Sequence, residues 1–370
     1  HKAGFAFVSS LLVLLVGFSI AVTVQAGRLA AERDRASEEA ETARQVSDFL
    51  VSLFEVSDPS EARGETVTAR EILNTGVERI EDELEDQPLV RARLMGTMGS
   101  VYDSLGLHAE ARPLLEQALK TREELLGPDD PLVADSLKEL GNDLMALADY
   151  ESARETFERM RTIYEAAYGP EHESVGAAVY ELGRLHVRTG ASDEAEPLLA
   201  RAVAIWETSV GPEDARLAVG LNGLGYTLYE MGRFEEAQPL LERAVEVWEN
   251  ALGADHPDLS AALTNLGLLH RSLGEIERSR AYHERALAID EKALGPDHPL
   301  LAQTVANLAI LHAVSGNFAE AQPLFERVLQ INEKAFGPEH PDVGRAVANL
   351  GILHADMGNF ETALTYVERG

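Results

Sequence analysis

The chain has 370 residues, 63 acidic against 32 basic side chains, a formal net charge of −31, and no cysteine. Disulfides, thiolate catalysis and cysteine-held zinc are excluded, and nucleic-acid binding is disfavoured because it needs clustered Lys and Arg. Hydrophobic content of 45% with only 6% aromatic, rich in Ala, Leu and Glu, is the profile of an all-helical protein whose partner surface is basic or neutral.

The first predicted element lies in a stretch from Ala3 to Gly27 that has no charged residue. Its core, FAFVSSLLVLLVGFSIAVTV (5–24), spans about 30 Å as a helix at about 1.5 Å per residue, the thickness of a bilayer's hydrocarbon layer. Residues 1–27 are therefore expected to be a single transmembrane helix. A cleaved signal peptide is the competing reading, with small residues around Val24 and Ala26, but such peptides have apolar cores of about 7 to 15 residues. Arg28, Arg33 and Arg35 outnumber Lys2 across the span, which favours a cytoplasmic C-terminal part. Because the chain begins with His1 rather than Met, the N-terminus is expected to be a cut end, which leaves the orientation open.

Residues 28–67 read as a juxtamembrane helix and linker. RLAAERDRASEEAETARQVSDFLVSLFEV (28–56) is charged, with an apolar stripe at Val46, Phe49, Leu50, Leu53 and Phe54 that is expected to dock on the first hairpin. SDPSEARGETV (57–67) breaks the helix at Pro59 and Gly64. TAREILNTGVERIEDEL then restarts one, capped at Thr68. Its Ala69, Leu73 and Gly76 fall 42 residues before Ala111, Leu115 and Ala118, so 68–90 reads as the second helix of a degenerate first unit. DFLVSLFEVSDPSEARGETVTAREIL resembles the connector of bacterial serine/threonine protein kinases that carry a repeat array beyond one transmembrane helix. That resemblance implies a kinase upstream and a bacterial inner-membrane location. The chain itself has no Gly-rich phosphate loop, His-Arg-Asp element or Asp-Phe-Gly element, so no phosphotransfer residue is assigned.

From residue 91 the sequence is periodic. GPDDP at Gly127 recurs in variants at Gly169, Gly211, Gly253, Gly295 and Gly337, each 42 residues after the last. A glycine column runs through Gly99, Gly141, Gly183, Gly225, Gly267, Ala309 and Gly351. A second holds Gly106, Ala148, Gly190, Gly232, Gly274, Gly316 and Gly358, followed by a small-residue column that includes Ala111, Ala195 and Ala237. Small residues let two antiparallel helices approach closely, and the second glycine turns the chain between them. NLGLLHRSLGEIERSRAYHERAL (265–287) shows the complete pattern. These units resemble tetratricopeptide repeats of the 42-residue kind found in kinesin light chains. The resemblance implies an all-α, right-handed superhelical solenoid of antiparallel helix hairpins over 91–370, six units complete. The seventh unit stops at Gly370 within its second helix and is expected to continue.

In LGPDHP (294–299) the Gly is expected to adopt a left-handed conformation, the Pro to stop the helix, and Asp or His to cap the next one. Histidines recur in these loops (His172, His256, His298, His340) and in the first helices (His186, His270, His312, His354). Members of a column lie one repeat apart, too far to share a metal, so capping and packing are the expected roles. GLNGLG (220–225) has the wrong glycine spacing for a dinucleotide loop and lies inside a helix. No catalytic residue, cofactor, metal or small-molecule substrate is expected.

What the family resemblance implies is a protein or peptide ligand held on the concave face, which first-helix residues line. Here that face carries Arg93 and Asp103, then Lys138 and Asn142, then Tyr180, Glu181, Arg184 and Arg188. Asn222, Tyr226, Tyr229 and Glu230 follow, with Asn265 and Arg271, and finally Asn307 and Asn349. Asn pairs with peptide backbone, Arg grips carboxylates and Tyr supplies stacking area. Towards the C-terminus Leu268, Ile310, Ala313, Ile352 and Ala355 make the face more apolar. An ordinary solvated polar surface is the plain alternative. For the whole chain the alternative is a membrane-tethered scaffold that self-associates and has no kinase.

Overall fold

The computed structural model describes residues 69–369 together with Arg44, Ser47 and Phe49. The expected membrane span, the rest of the 28–67 segment and the cap at Thr68 lie outside the described residues. Among the described residues no helix is long and apolar enough to cross a membrane. They form fifteen α-helices and no strand, in two compact units divided after Leu147.

The first unit contains α1 (Ala69–Glu83), the hairpin α2 (Pro88–Ser104) and α3 (His108–Leu126), and α4 (Pro131–Ala146). α1 occupies the position of a second helix and packs on α2. Ile80 of α1 is buried with Leu94, Met98 and Tyr102 of α2, and the Tyr102 hydroxyl donates to Asn74 Oδ1 at 2.6 Å. Of the apolar stripe before the repeats only Phe49 is described. It packs against this cluster, beneath the Arg79 guanidinium at 5.1 Å.

The second unit begins with α5 (Tyr150–Tyr168), followed by the hairpin of α6 (Glu173–Arg188) and α7 (Ser192–Ser209) and that of α8 (Ala215–Glu230) and α9 (Phe234–Leu252). Three more hairpins follow: α10 (Leu259–Ser272) with α11 (Ile276–Leu294), α12 (Leu301–Val314) with α13 (Phe318–Phe336), and α14 (Pro341–Asp356) with α15 (Phe360–Arg369). Within the unit each hairpin packs on the next, second helix against first.

The glycine column explains how closely each hairpin closes. A Cβ built at Gly225 would lie 2.8 Å from Leu241 Cδ2, and one at Gly183 would lie 2.7 Å from Leu199 Cδ2. The partner helix therefore occupies the volume a side chain would need, with its large residue fully buried. The turn between the helices is a Schellman closure: at Gly106, φ is +72° and the next residue's N–H donates back to Tyr102 O at 2.9 Å. One repeat departs from this pattern. Ala148 adopts φ +59°, the one non-glycine positive φ among the described residues.

The loop glycines correct an expectation. Gly295 has φ 84° with ψ 162°, which is not the left-handed helical region but the extended positive-φ region that is essentially open to glycine alone. The caps are as expected: Asp130 accepts from Leu132 N at 2.9 Å, and His340 Nδ1 from Asp342 N at 3.2 Å. After His256 and His298 the helices begin later, at Leu259 and Leu301. Loop histidines also stack on the aromatic residue that ends the preceding helix, His172 on Tyr168 at 4.4 Å and His340 on Phe336 at 4.5 Å. Of the first-helix histidines, His270 and His354 are buried inside their hairpins, and His186 and His312 are half-buried. His270 is buried, stacks on Tyr282 at 5.2 Å and pairs with Glu275 at 2.9 Å.

Successive second helices are also tied by a charge ladder. Arg201 pairs with Glu165 at 3.0 Å, Arg243 with Glu207 at 2.6 Å and Arg327 with Glu291 at 2.7 Å. Arg285 pairs with Glu249 in the same register, and Arg369 with Glu333. Each pair is partly exposed and worth roughly 0–1 kcal/mol alone, so the ladder helps fix register more than it stabilises.

His283 stands in the column that Leu199 and Leu241 fill with carbon. It is fully buried, and neither ring nitrogen has a hydrogen-bond partner. Burial, with repulsion from Arg271 second, pushes its pKa down to about 4 from 6.5. Between those values the unfolded chain binds a proton that the folded chain refuses, so stability falls as pH drops from 6.5 towards 4. His283→Leu is expected to stabilise the chain at pH 7 by about 1–3 kcal/mol, by removing unsatisfied buried nitrogens. The same variant should flatten the loss between pH 6.5 and 4; denaturant titrations across that range check both. Ala148→Gly is expected to add about 1 kcal/mol by relieving the left-handed alanine, read from the shift in denaturation midpoint.

Candidate peptide-binding face

Within each unit neighbouring first helices touch, α2 with α4, α6 with α8, α8 with α10 and α10 with α12, and they carry most of the polar residues singled out in the sequence. Lys138 and Asn142 lie on α4 in the first unit, Lys138 exposed and Asn142 half-buried. Arg93 and Asp103 also lie in the first unit, on α2, and the remaining candidates fall in the second unit, where the structure brings a subset together.

On α6, Tyr180 is wedged rather than free. Its ring lies 5.6 Å from that of Trp206, and a Cβ at Gly223 of α8 would sit 3.1 Å from Tyr180 Cε2. Burial pushes its hydroxyl up to about 12, so it remains a neutral donor at any physiological pH. Arg184 donates to the buried Glu181 carboxylate at 2.7 Å, with its guanidinium 6.0 Å from the Tyr180 ring centroid. Both residues are committed to packing first. Arg188 is exposed at the end of α6.

The centre of the face lies on α8 and α10. Asn265 Nδ2 donates to Asn222 Oδ1 at 2.9 Å, joining the two helices through an amide pair that retains further donor and acceptor capacity. One turn along, Tyr226 and Tyr229 lie 6.2 Å apart, and Phe234 extends the run, 5.7 Å from Tyr229. Burial, with Glu230 second, raises the Tyr226 hydroxyl pKa. Ser272 Oγ donates to the Tyr229 hydroxyl at 3.4 Å. Phe234 and Ser272 were not singled out in the sequence; the signal for Phe234 was an aromatic column shared with Tyr150, Phe318 and Phe360. Arg271 is half-buried at the edge.

Asn307 does not line an open surface. It is 3% exposed, accepts from Gln303 at 3.2 Å, and its Nδ2 has no partner. Asn349 lies in the wall of a cleft of about 170 Å³ with Ile310, Ala313 and Ile352. An apolar hollow of about 550 Å³ follows between α14 and α15, lined by Ile352, Phe360, Leu364 and Val367. GLNGLG is a packing motif: besides Gly223, a Cβ at Gly220 would lie 3.1 Å from Trp206 Cε3.

The tetratricopeptide repeat family model matches residues 90–159, 132–208, 216–292, 258–314 and 302–370. No curated protein matches the chain. Among solved structures, a putative kinesin light chain from Podosopora anserina with nearly identical repeats is 27% identical over 54% of this chain and 94% of its own, with a TM-score of 0.48. BtubC (BKLC) from P. vanneervenii is 22% identical over 63% of this chain and 92% of its own, at a TM-score of 0.52. The apo form of RapI matches 88% of this chain and 86% of its own at 14% identity, with a TM-score of 0.56. The last two show a shared fold.

Proposed function

Since the chain belongs to the tetratricopeptide repeat family, we propose that it is a non-catalytic scaffold that holds an extended segment of a partner protein against α6, α8 and α10. The amide pair Asn222–Asn265 carries this reading, because it presents amide donors and acceptors at the seam of two helices beside an aromatic run. A peptide laid along the seam would find backbone partners in the amides, a stacking platform in Tyr226 and Tyr229, and a cation at Arg271. The net charge of −31 favours a basic or neutral partner and an encounter rate that falls with salt. The winding proposed for the hairpins is the right-handed superhelix that the family resemblance implies.

The uncharged stretch at 5–24 supports a lipid anchor, and the connector resemblance supports a bacterial inner-membrane protein with a serine/threonine kinase upstream. In that arrangement the repeats recruit or sense a regulator for an enzyme that this chain does not contain.

Asn222→Ala with Asn265→Ala is expected to weaken peptides selected from a random display library on the wild-type chain by ten-fold or more, since each lost hydrogen bond is worth about 0.5–1.5 kcal/mol. The melting temperature should hold, and selected peptides that bind the double variant equally well would place the site elsewhere. Deleting residues 5–24 should release the chain from an alkali-washed bacterial membrane fraction; a deletion variant that stays in the pellet would count against the anchor.

A further inference from the structure

The first unit holds a polar cluster at positions that are mostly apolar in the other repeats, apart from Thr227 and Ser192. Asp143 of α4 occupies the column of Leu185, Leu269, Leu311 and Leu353, and His108 of α3 the column of Phe234 and Phe318. Asp103, at the end of α2, completes the group, and the ligand atoms of all three lie within 4.8 Å of one another.

Asp143 is fully buried. Its Oδ2 accepts from Arg112 Nε at 2.8 Å, whereas its Oδ1 has no hydrogen-bond partner and faces His108 Nδ1 at 3.4 Å. His108 Nδ1 lies 2.8 Å from Asp103 Oδ1. An ion pair with Arg112 alone would require neither His108 nor Asp103, and a buried leucine would be at least as stable as the pair. Three polar residues converging at one joint depart from the apolar pattern that most repeats keep there.

We propose that Asp103, His108 and Asp143 bind a divalent transition-metal ion of the zinc class. Ligands about 2.0–2.1 Å from a tetrahedral zinc lie about 3.3–3.4 Å from each other. The His108–Asp143 edge already has that length, the His108–Asp103 edge is shorter by about 0.5 Å, and no two ligand atoms are more than 4.8 Å apart. One imidazole with two carboxylates selects zinc, manganese or iron(II) over calcium and magnesium, which take oxygen ligands. Arg112 holds the second oxygen of Asp143 and aims the first at the ion, as outer partners of ligating carboxylates do. His108 and Asp103 are 26% and 22% exposed, which leaves a fourth position for water. The ion ties α2, α3 and α4 together and links the stability of the first unit to metal supply.

The test is titration of the chelator-treated full chain with zinc chloride, followed by calorimetry and thermal melting. One ion per chain at micromolar affinity, with a saturable rise of several degrees in melting temperature, is the expected result. The triple variant His108→Phe, Arg112→Gln, Asp143→Leu, built from residues the array uses in the same columns, should fold and lose that rise. If the triple variant does not fold, His108→Phe alone decides, with an expected loss of at least ten-fold in affinity. Absence of a one-to-one heat at a hundred-fold excess of zinc, or an unchanged rise in the variants, would overturn the site.

Discussion

The contact on which four of the hairpins depend is a large side chain of the second helix pressed onto a glycine of the first. Leu199 on Gly183 and Leu241 on Gly225 leave no room for a Cβ, so the helix separation is set by the absence of an atom. Where the column departs from glycine, at Ala309, the partner changes to Phe325 and both remain buried.

The loops between hairpins are held by local devices. The loop glycine in its extended positive-φ conformation, the cap from Asp or His and the ring stacked on the preceding aromatic all act within a few residues. Local devices of this kind repeat cheaply. The glutamate–arginine ladder then ties second helices 36 residues apart, adding a longer-range register to the local one. His283 shows the limit of the pattern: an imidazole fits the leucine shape but brings two nitrogens that the hairpin cannot satisfy.

Because helix packing consumes two faces of each first helix, only the residues left over can differ between repeats without cost, and there function is free to accumulate. That is why α8 and α10 can hold an amide pair and an aromatic run while keeping the same buried leucines. The same logic gives weight to Asp143. It departs from the pattern inside the core, where departures are costly, and so asks for a partner that the hydrogen bonds do not supply.

The helical hairpins, the capping by His172 and His340 and the packing of His270 and His354 were legible in the sequence, because each follows from a period of 42 residues and from contacts within one repeat. Even GLNGLG could be read as packing from glycine spacing alone. What the sequence could not supply was occupancy: Tyr180 and Arg184 look like free recognition residues, yet one is wedged over Gly223 and the other is held by Glu181. Asn307 is likewise sealed away, while Phe234 and Ser272 join the face from neighbouring elements. The meeting of Asp103, His108 and Asp143 across three helices was invisible for the same reason. Periodicity records which residues share a role, and so determines the fold; which neighbours consume a side chain's capacity is decided by packing between helices, and only the tertiary structure sets that.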